Sequence, residues 1–334
     1  MMNFYKILFF NSLIIGSLIT ISSYSWLGMW MGLEINLLSI IPLFSNYKNM
    51  MNNEATLKYF LTQVMASTIM LFSIIILSSN ILKNWENNLN LIFNSSMLTK
   101  MGAAPFHFWF PEVMEGLNWN NCLLLLTWQK IAPMILIMYN NMTMFFSMII
   151  LFSMMISGIL GINQTSLRKI LAYSSINHIG WMISSLMFLE SIWMVYFIVY
   201  SIISLNIILM FKKFNIFYLK QIFLMLNNNS TIKMFFIFNF LSLGGLPPFL
   251  GFMPKWLTIQ LLVENNMILI STIMVILTLM TLYFYTRMTF STLMINMNEM
   301  NCYKNYKNKE WLILTFNFLS LLGLLLVTLM FNYY

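Results

Sequence analysis

The sequence predicts an all-α polytopic membrane protein of about eleven transmembrane helices, built as an inverted repeat with two discontinuous helices. Three observations predict it: a composition with almost no charge, a succession of apolar runs each near the length of a membrane crossing, and a motif that occurs twice. Of the 334 residues, 60% are hydrophobic and 8% charged, and the mean hydropathy is +0.79. Soluble domains carry roughly 25% charged residues, so this chain lacks the polar supply for a wetted surface, and lipid is its solvent. That excludes a cytosolic enzyme, a disordered chain and a disulfide-built secreted module. It also excludes a nucleic-acid partner, because the net charge of +8 is spread too thinly to track phosphates.

Apolar runs of about 20 residues fall near 3–23, 25–45, 55–79, 89–110, 119–140, 142–163, 167–188, 191–211, 232–262, 267–287 and 311–331. The turns are short except for Lys212–Thr231 and Arg287–Glu310, which read as loops. The runs are continuous and do not alternate with period two, which argues against a strand barrel. Residues 1–334 therefore read as a single integral membrane domain, with repeat halves near 25–163 and 164–290 and a C-terminal helix near 311–331. Met1 to Ser23 reads as a first span and not as a cleaved signal, because a basic start and a small-residue cleavage site are both missing.

Charge sets the orientation. With the N-terminus on side one, its loops hold Lys6, Lys48, Lys58, Arg168, Lys169, Lys212, Lys213, Lys220, Lys233, Arg287, Lys304, Lys307 and Lys309, while the opposite side holds only Lys83. This positive-inside asymmetry puts the N-terminus in the compartment of insertion and, with an odd helix count, the C-terminus across the membrane. Composition adds the compartment's kind. All 9 acids are Glu, Ala and Val are scarce, and Met (33) and Phe (30) abound with Ile, Leu, Asn and Tyr. The enriched residues have A/T-rich codons, and Met joins them where AUA is read as Met, so the gene reads as organelle-encoded. Cys122 and Cys302 have no metal spacing and read as apolar thiols.

The charges left inside the runs are the candidate machinery. Glu34 lies about nine residues into the second run and Lys130 about eleven into the fifth, which places both some 14–16 Å deep, near the bilayer midplane. Lys100 falls near the middle of the fourth run, and Lys255 follows the break in the ninth. Such groups are costly in lipid, so they face a protein or water interior and usually mark an ion path. A static clamp between Glu34 and one lysine is the other reading, but three lysines against one carboxylate leave an excess of titratable amines. Pro133 frees the carbonyl of Gln129 beside Lys130, and Pro42 that of Leu38 beyond Glu34. His107, in the break of the fourth run, and His178, beside Ser174, Ser175 and Asn177, are possible members of a proton path; bonding to freed carbonyls explains His107 equally well. Glu112 and Glu115 read as solvated interfacial acids.

The motif Gly-x-x-Pro-Phe-x-x-x-x-Pro-(charged) occurs at Gly102 to Glu112 and again at Gly245 to Lys255. Five crossings separate the two copies, so they run in opposite directions. That is the signature of an inverted repeat with a broken helix in each half.

Together with these copies, the segments Leu33 to Ser39, Glu54 to Gln63, Thr127 to Pro133, Asn163 to Lys169 and Phe240 to Trp256 closely resemble the antiporter-like membrane subunits of respiratory complex I. The resemblance covers essentially the whole chain, and the last 45 or so residues match only in being hydrophobic. It implies that Glu34 is the helix carboxylate of that fold, Lys100 the lysine paired with it on the first broken helix, Lys130 the central-axis lysine and Lys255 the charged residue of the second broken helix. It further implies proton translocation without redox chemistry in this chain, with FMN, iron–sulfur clusters, NADH and ubiquinone held by other subunits. The implied partners are the other membrane-arm subunits, among them subunit 4, subunit 4L and accessory subunits, and a bilayer containing cardiolipin. The implied place is the mitochondrial inner membrane, with the N-terminus on the matrix side and the C-terminus facing the intermembrane space. A stand-alone cation/proton antiporter and a purely structural subunit are the alternatives.

Physics permits that role. A unit-charge pair at 4 Å is worth roughly 4 kcal/mol at an effective dielectric near 20, and moving one charge against about 150 mV costs roughly 3.5 kcal/mol. Opening or closing one ion pair is therefore sufficient to move a proton across an energised membrane.

Overall fold

A computed structural model describes residues 4–46, 49–79, 86–226 and 230–294, together with positions 315, 317, 318 and 323. Lys48, Lys83, Cys302, Lys304, Lys307, Lys309 and nearly all of the predicted 311–331 helix lie outside the described residues. Within them the chain forms fourteen α-helices: α1 (Phe4–Ser22), α2 (Trp26–Phe44), α3 (Met50–Ser79), α4 (Glu86–Met101), α5 (Trp109–Gly116), α6 (Trp119–Leu126), α7 (Trp128–Met138), α8 (Thr143–Ile162), α9 (Leu167–Leu186), α10 (Glu190–Phe214), α11 (Leu219–Leu226), α12 (Ser230–Gly244), α13 (Phe252–Glu264) and α14 (Ile268–Met294).

Among the described residues seven stretches are long and apolar enough to cross a membrane: Phe4–Ser22, Trp26–Phe44, Met50–Ser79, Trp119–Met138, Thr143–Ile162, Glu190–Phe214 and Ile268–Leu293. Their outward faces carry exposed Leu18, Leu61, Phe72, Met148, Ile159, Ile276 and Leu279. Uncovered apolar faces of this extent require an apolar surrounding. The helix ends have local causes. Ser25 caps α2 by accepting from the Gly28 N–H at 3.2 Å. Asn215, at φ 50°, closes α10 behind Lys212 and Lys213, cations placed at the negative end of the helix dipole.

Two expectations change: the predicted loop Lys212–Thr231 contains α11, and Arg287 lies inside α14, which continues to Met294. Within the run 89–110, α4 stops at Met101 and α5 starts at Trp109.

The chain divides into two compact units, Met1–Ile149 and Ile150–Tyr334. In the first, α1 and α2 pack along their lengths and α3 lies against α2, α4 and α5, while α4 also meets α7. Gly16 and Gly32 make the α1–α2 approach possible: a Cβ on Gly16 would come within 2.9 Å of the Asn36 backbone nitrogen, and one on Gly32 within 2.8 Å of that of Thr20. Small residues at such crossings let backbones close where lipid supplies no hydrophobic drive. The crossing thereby fixes α2, which carries Glu34 and Asn36.

In the second unit α9 is the core, buried from Ile170 to Leu186 and surrounded by α10, α13 and α14. Its serines return their hydroxyls to its own backbone, as in Ser174 to Leu171 O (2.8 Å), Ser175 to Ala172 O (2.8 Å), Ser184 to Trp181 O (2.7 Å) and Ser185 to Met182 O (2.7 Å). A buried hydroxyl left without a partner costs about 1–3 kcal/mol, and this back-bonding removes that cost. A helix more polar than its neighbours can therefore occupy the interior.

Two helix ends repeat each other in register. α4 ends at Met101 and α5 begins at Trp109; α12 ends at Gly244 and α13 begins at Phe252. Each boundary is offset by 143 residues (244 − 101 and 252 − 109). Gly102 and Gly245 follow the two helices at φ +76° and +77°, the left-handed region that glycine adopts without a Cβ penalty. The Ala103 N–H reaches Leu98 O (3.0 Å) and the Gly102 N–H reaches Thr99 O (3.2 Å). The Leu246 N–H likewise reaches Leu241 O (3.3 Å) and the Gly245 N–H reaches Ser242 O (3.0 Å). Both ends are Schellman caps, so the shared Gly of the motif has one structural reason in both places.

Candidate functional site

In the first unit, Lys100 is the penultimate residue of α4 and is 7% exposed; Lys130, on α7, is 1% exposed. Packing of α4 on α7 puts both lysines on one helix pair. A break in the helix at Thr127 precedes Lys130, whose own N–H bonds to Thr127 O at 3.2 Å. Pro133 then removes the bond to Gln129 O. The Lys130 amine lies 5.7 Å from the centre of the Phe110 ring. Glu34 is half-buried on α2. Among the described residues it makes no ion pair with the Lys100 amine within 4 Å.

A small cavity opens beside Lys100. Asn36, Tyr59, Gln63 and Gln129 line it with the lysine, over a floor of Leu33, Leu37 and Pro133. The neutral groups are linked to one another: Gln129 Nε2 donates to Asn36 Oδ1 (3.0 Å), Tyr59 Oη to Gln129 Oε1 (3.4 Å), and Gln63 Nε2 to the backbone oxygen of Lys100 (3.3 Å). Among the described residues the Lys100 amine itself has no hydrogen-bond or ion-pair partner. His107 lies in the segment between α4 and α5, 2% exposed. Its Nδ1 is 3.3 Å from Pro105 O, and its Nε2 has no hydrogen-bond partner among the described residues.

In the second unit, Lys255 is 7% exposed at the start of α13. Its amine donates to Gly244 O at 2.9 Å and Leu243 O at 3.3 Å, the last carbonyls of α12. His178, on α9, shares a 2.9 Å hydrogen bond with the Tyr196 hydroxyl and packs its ring 5.0 Å from that of Tyr200. Asn177 Nδ2 donates to Thr281 Oγ1 at 3.1 Å. Glu34, Lys100, Lys130 and His107 are therefore gathered in the first unit, and His178 and Lys255 in the second.

Sequence reasoning passed over Asn36, Tyr59, Gln63 and Gln129, because neutral side chains raise no charge signal. One signal was there. Ala55, Tyr59, Gln63, Ala66 and Met70 follow helical spacing, and a glutamine on the buried stripe of an apolar helix is as anomalous as a charge. Glu112 is exposed, as expected of a solvated acid; Lys58 bonds it at 2.9 Å and Glu54 at 3.0 Å, so the three form one exposed cluster. Among the described residues no three His, Cys, Asp or Glu side chains are grouped to hold a metal ion.

These features define an all-helical membrane protein with amines and a carboxylate inside it. A family model described as "NADH:quinone oxidoreductase/Mrp antiporter, TM" matches residues 23–281, and the chain belongs to that family. It is 57% identical over 333 residues to NADH-ubiquinone oxidoreductase chain 2 of Aedes aegypti and 53% identical over 331 residues to that of Anopheles gambiae, with 97% of each chain covered in both cases. A chain in the solved structure of respiratory complex I from Thermus thermophilus with bound aureothin shares the fold at a TM-score of 0.86 and 21% identity, over 97% of this chain and 78% of that one.

Proposed function

We propose that this chain is a core membrane subunit of respiratory complex I that moves protons along its buried lysines while electrons pass through other subunits. Nearly full-length likeness to relatives named for that oxidoreductase supports the assembly. The observation that carries the mechanism is Lys130, a lysine 1% exposed within a largely apolar helix beside a proline-freed carbonyl. A charge so placed is retained at a cost of a few kcal/mol, and a reversible proton on its amine is the chemistry that a hydrophobic residue of equal volume could not supply.

In this reading α4 with α5, and α12 with α13, are the two discontinuous helices of an inverted repeat. The membrane is crossed about eleven times, the repeat halves fall near 25–163 and 164–290, and all of it forms one integral domain. Glu34 and Lys100 form the switch. Closing the pair holds a proton on Lys100; opening it releases that proton toward Lys130, and Lys255 passes it on in the second half. Desolvation and a nearby carboxylate act in opposite senses on an ammonium, so changing the Glu34–Lys100 distance suffices to bias the next amine. His107 and His178 serve as accessory members of the path. The protein lies in the mitochondrial inner membrane with its N-terminus in the matrix, beside subunit 4, subunit 4L, accessory subunits and cardiolipin. FMN, the iron–sulfur clusters, NADH and ubiquinone belong to other subunits.

The test is the intact complex carrying Lys130→Met. Assembly is expected to persist, while proton pumping and coupled NADH oxidation fall by an order of magnitude or more. Pumping at native stoichiometry would remove the mechanism, and ion exchange by the isolated, reconstituted chain would replace it with a stand-alone antiporter.

A further inference from the structure

The stretch between α12 and α13 folds back on the helix it leaves. A Cβ on Gly251 would collide with the carbonyl oxygen of Ser242, so the chain just before α13 lies against the last turn of α12. That turn carries Leu243 O and Gly244 O, which accept from the Lys255 amine at 3.3 and 2.9 Å. The longer of these is already at the edge of hydrogen-bond range, so a small slip of α12 along its axis would break it. The level of the α12 end therefore decides how Lys255 is held.

Two buried contacts set that level, and both come from the predicted 311–331 helix. Asn239, one turn before Leu243, donates from Nδ2 to Oδ1 of Asn317, and both residues are buried. The same nitrogen lies 3.7 Å from Met210 Sδ on α10, and the Asn239 carbonyl accepts from Ser242 Oγ at 2.7 Å. Gly323 meets the other edge: a Cβ there would collide with Cδ1 of Leu250, a buried residue on the chain that leads into Lys255. Apolar packing holds helices together but tolerates sliding, whereas a buried amide pair fixes register, because a shifted helix leaves both amides unpaired. The residue of α4 that corresponds to Asn239 in the motif register is Ser96 (239 − 143), and its hydroxyl returns to Phe93 O of its own helix at 2.6 Å. The backbone motif thus forms there without an amide pair at this position, and the pair at Asn239 answers a need other than ending the helix.

We propose that the segment carrying Asn317 and Gly323 braces the stretch between α12 and α13, making Asn239, Asn317 and Gly323 positioning residues for proton exchange at Lys255; the proposal rests on the reading of Lys255 as a proton carrier. None of the three touches the amine. The amide pair sets where Leu243 O and Gly244 O stand, and Gly323 leaves room for Leu250 and the chain behind it.

The experiment measures proton pumping per assembled complex, beside NADH oxidation by an artificial electron acceptor, which reports the redox chemistry of the other subunits. Asn317→Leu keeps the volume and removes the acceptor. It is expected to leave artificial-acceptor activity near native and to lower pumping per complex about fivefold, the effect of one hydrogen bond. Gly323→Ala should lower it similarly, and Leu250→Ala on that background should restore it, because the smaller side chain makes room for the added Cβ. Should Asn317→Leu fail to assemble, this second pair of variants decides. Native pumping per complex in Asn317→Leu at reduced abundance would make the amide pair a purely structural contact and overturn the proposal, as would a loss in Gly323→Ala that Leu250→Ala does not relieve. Native pumping in both Asn317→Leu and Gly323→Ala, with pumping per complex abolished in Lys255→Met, would overturn the brace and leave the proton-carrier reading standing. Native pumping per complex in Lys255→Met would overturn both.

Discussion

The two helix breaks share a backbone and differ in what satisfies it. Behind Gly102, neutral side chains reach the last carbonyls of α4: Trp109 Nε1 donates to Thr99 O at 3.0 Å and Gln63 Nε2 to Lys100 O. Behind Gly245, the carbonyl of Leu243, which corresponds to Lys100 in the motif register, accepts from the charged amine of Lys255, as does Gly244 O. One lysine is spent as a cap and the other is left to face a cavity. A helix end needs its carbonyls paired; Lys255 supplies that pairing behind Gly245, and Lys100 does not behind Gly102.

The largest expected difference follows from replacing each lysine by methionine in the assembled complex. Lys100→Met removes a group that pairs no carbonyl, so the complex should assemble while pumping is lost. Lys255→Met leaves Leu243 O and Gly244 O unpaired, at about 1–3 kcal/mol for a buried acceptor, so its abundance and melting temperature should fall together with activity. Equal stability of the two variants would erase the distinction between cap and carrier.

The glycines sharpen it next. Forcing a Cβ into the left-handed region costs about 1–2 kcal/mol at either break. At Gly245 that Cβ would also lie 2.8 Å from Lys255 Cδ, whereas at Gly102 the nearest atom is Phe110 Cβ at 3.0 Å. Thermal unfolding of Gly245→Ala and Gly102→Ala should show both destabilised. Only the first should displace the cap lysine, and Lys255→Ala placed on the Gly245→Ala background should then add less than its separate cost. A smaller change is expected from Trp109→Phe, which strips one donor from Thr99 O at about 1 kcal/mol and leaves the second unit unaffected. Smallest of all is Glu112→Gln, read for stability. Its partner Lys58 and the acid itself are exposed, and exposed ion pairs add little to stability, so the melting temperature should hardly move.

Much of this architecture is legible in the sequence because lipid makes apolar runs and their polar breaks conspicuous. α1, α2 and α8 begin and end within a residue or two of the runs that announce them. The motif shared by Gly102 to Glu112 and Gly245 to Lys255 falls at the stretches between α4 and α5 and between α12 and α13. What escaped was neutral or shielded. Gln63 and Gln129 carry no charge to betray a cavity, and α11 lies in a stretch whose lysines read as loop. The burial of α9 from Ile170 to Leu186 was hidden by serines that bond to their own helix. Lys130, Lys100 and Lys255 were legible as buried charges. That Lys255 is engaged by carbonyls while Lys100 faces a cavity depends on side-chain geometry, which no spacing reveals.

The central claim is that Lys130 must gain and lose a proton, and proton pumping by the complex carrying Lys130→Arg tests it most directly. Arginine keeps the positive charge and much of the length but does not deprotonate in proteins. The account expects an assembled complex whose proton pumping is abolished or nearly so; pumping at native stoichiometry would show that a fixed charge suffices and would contradict it.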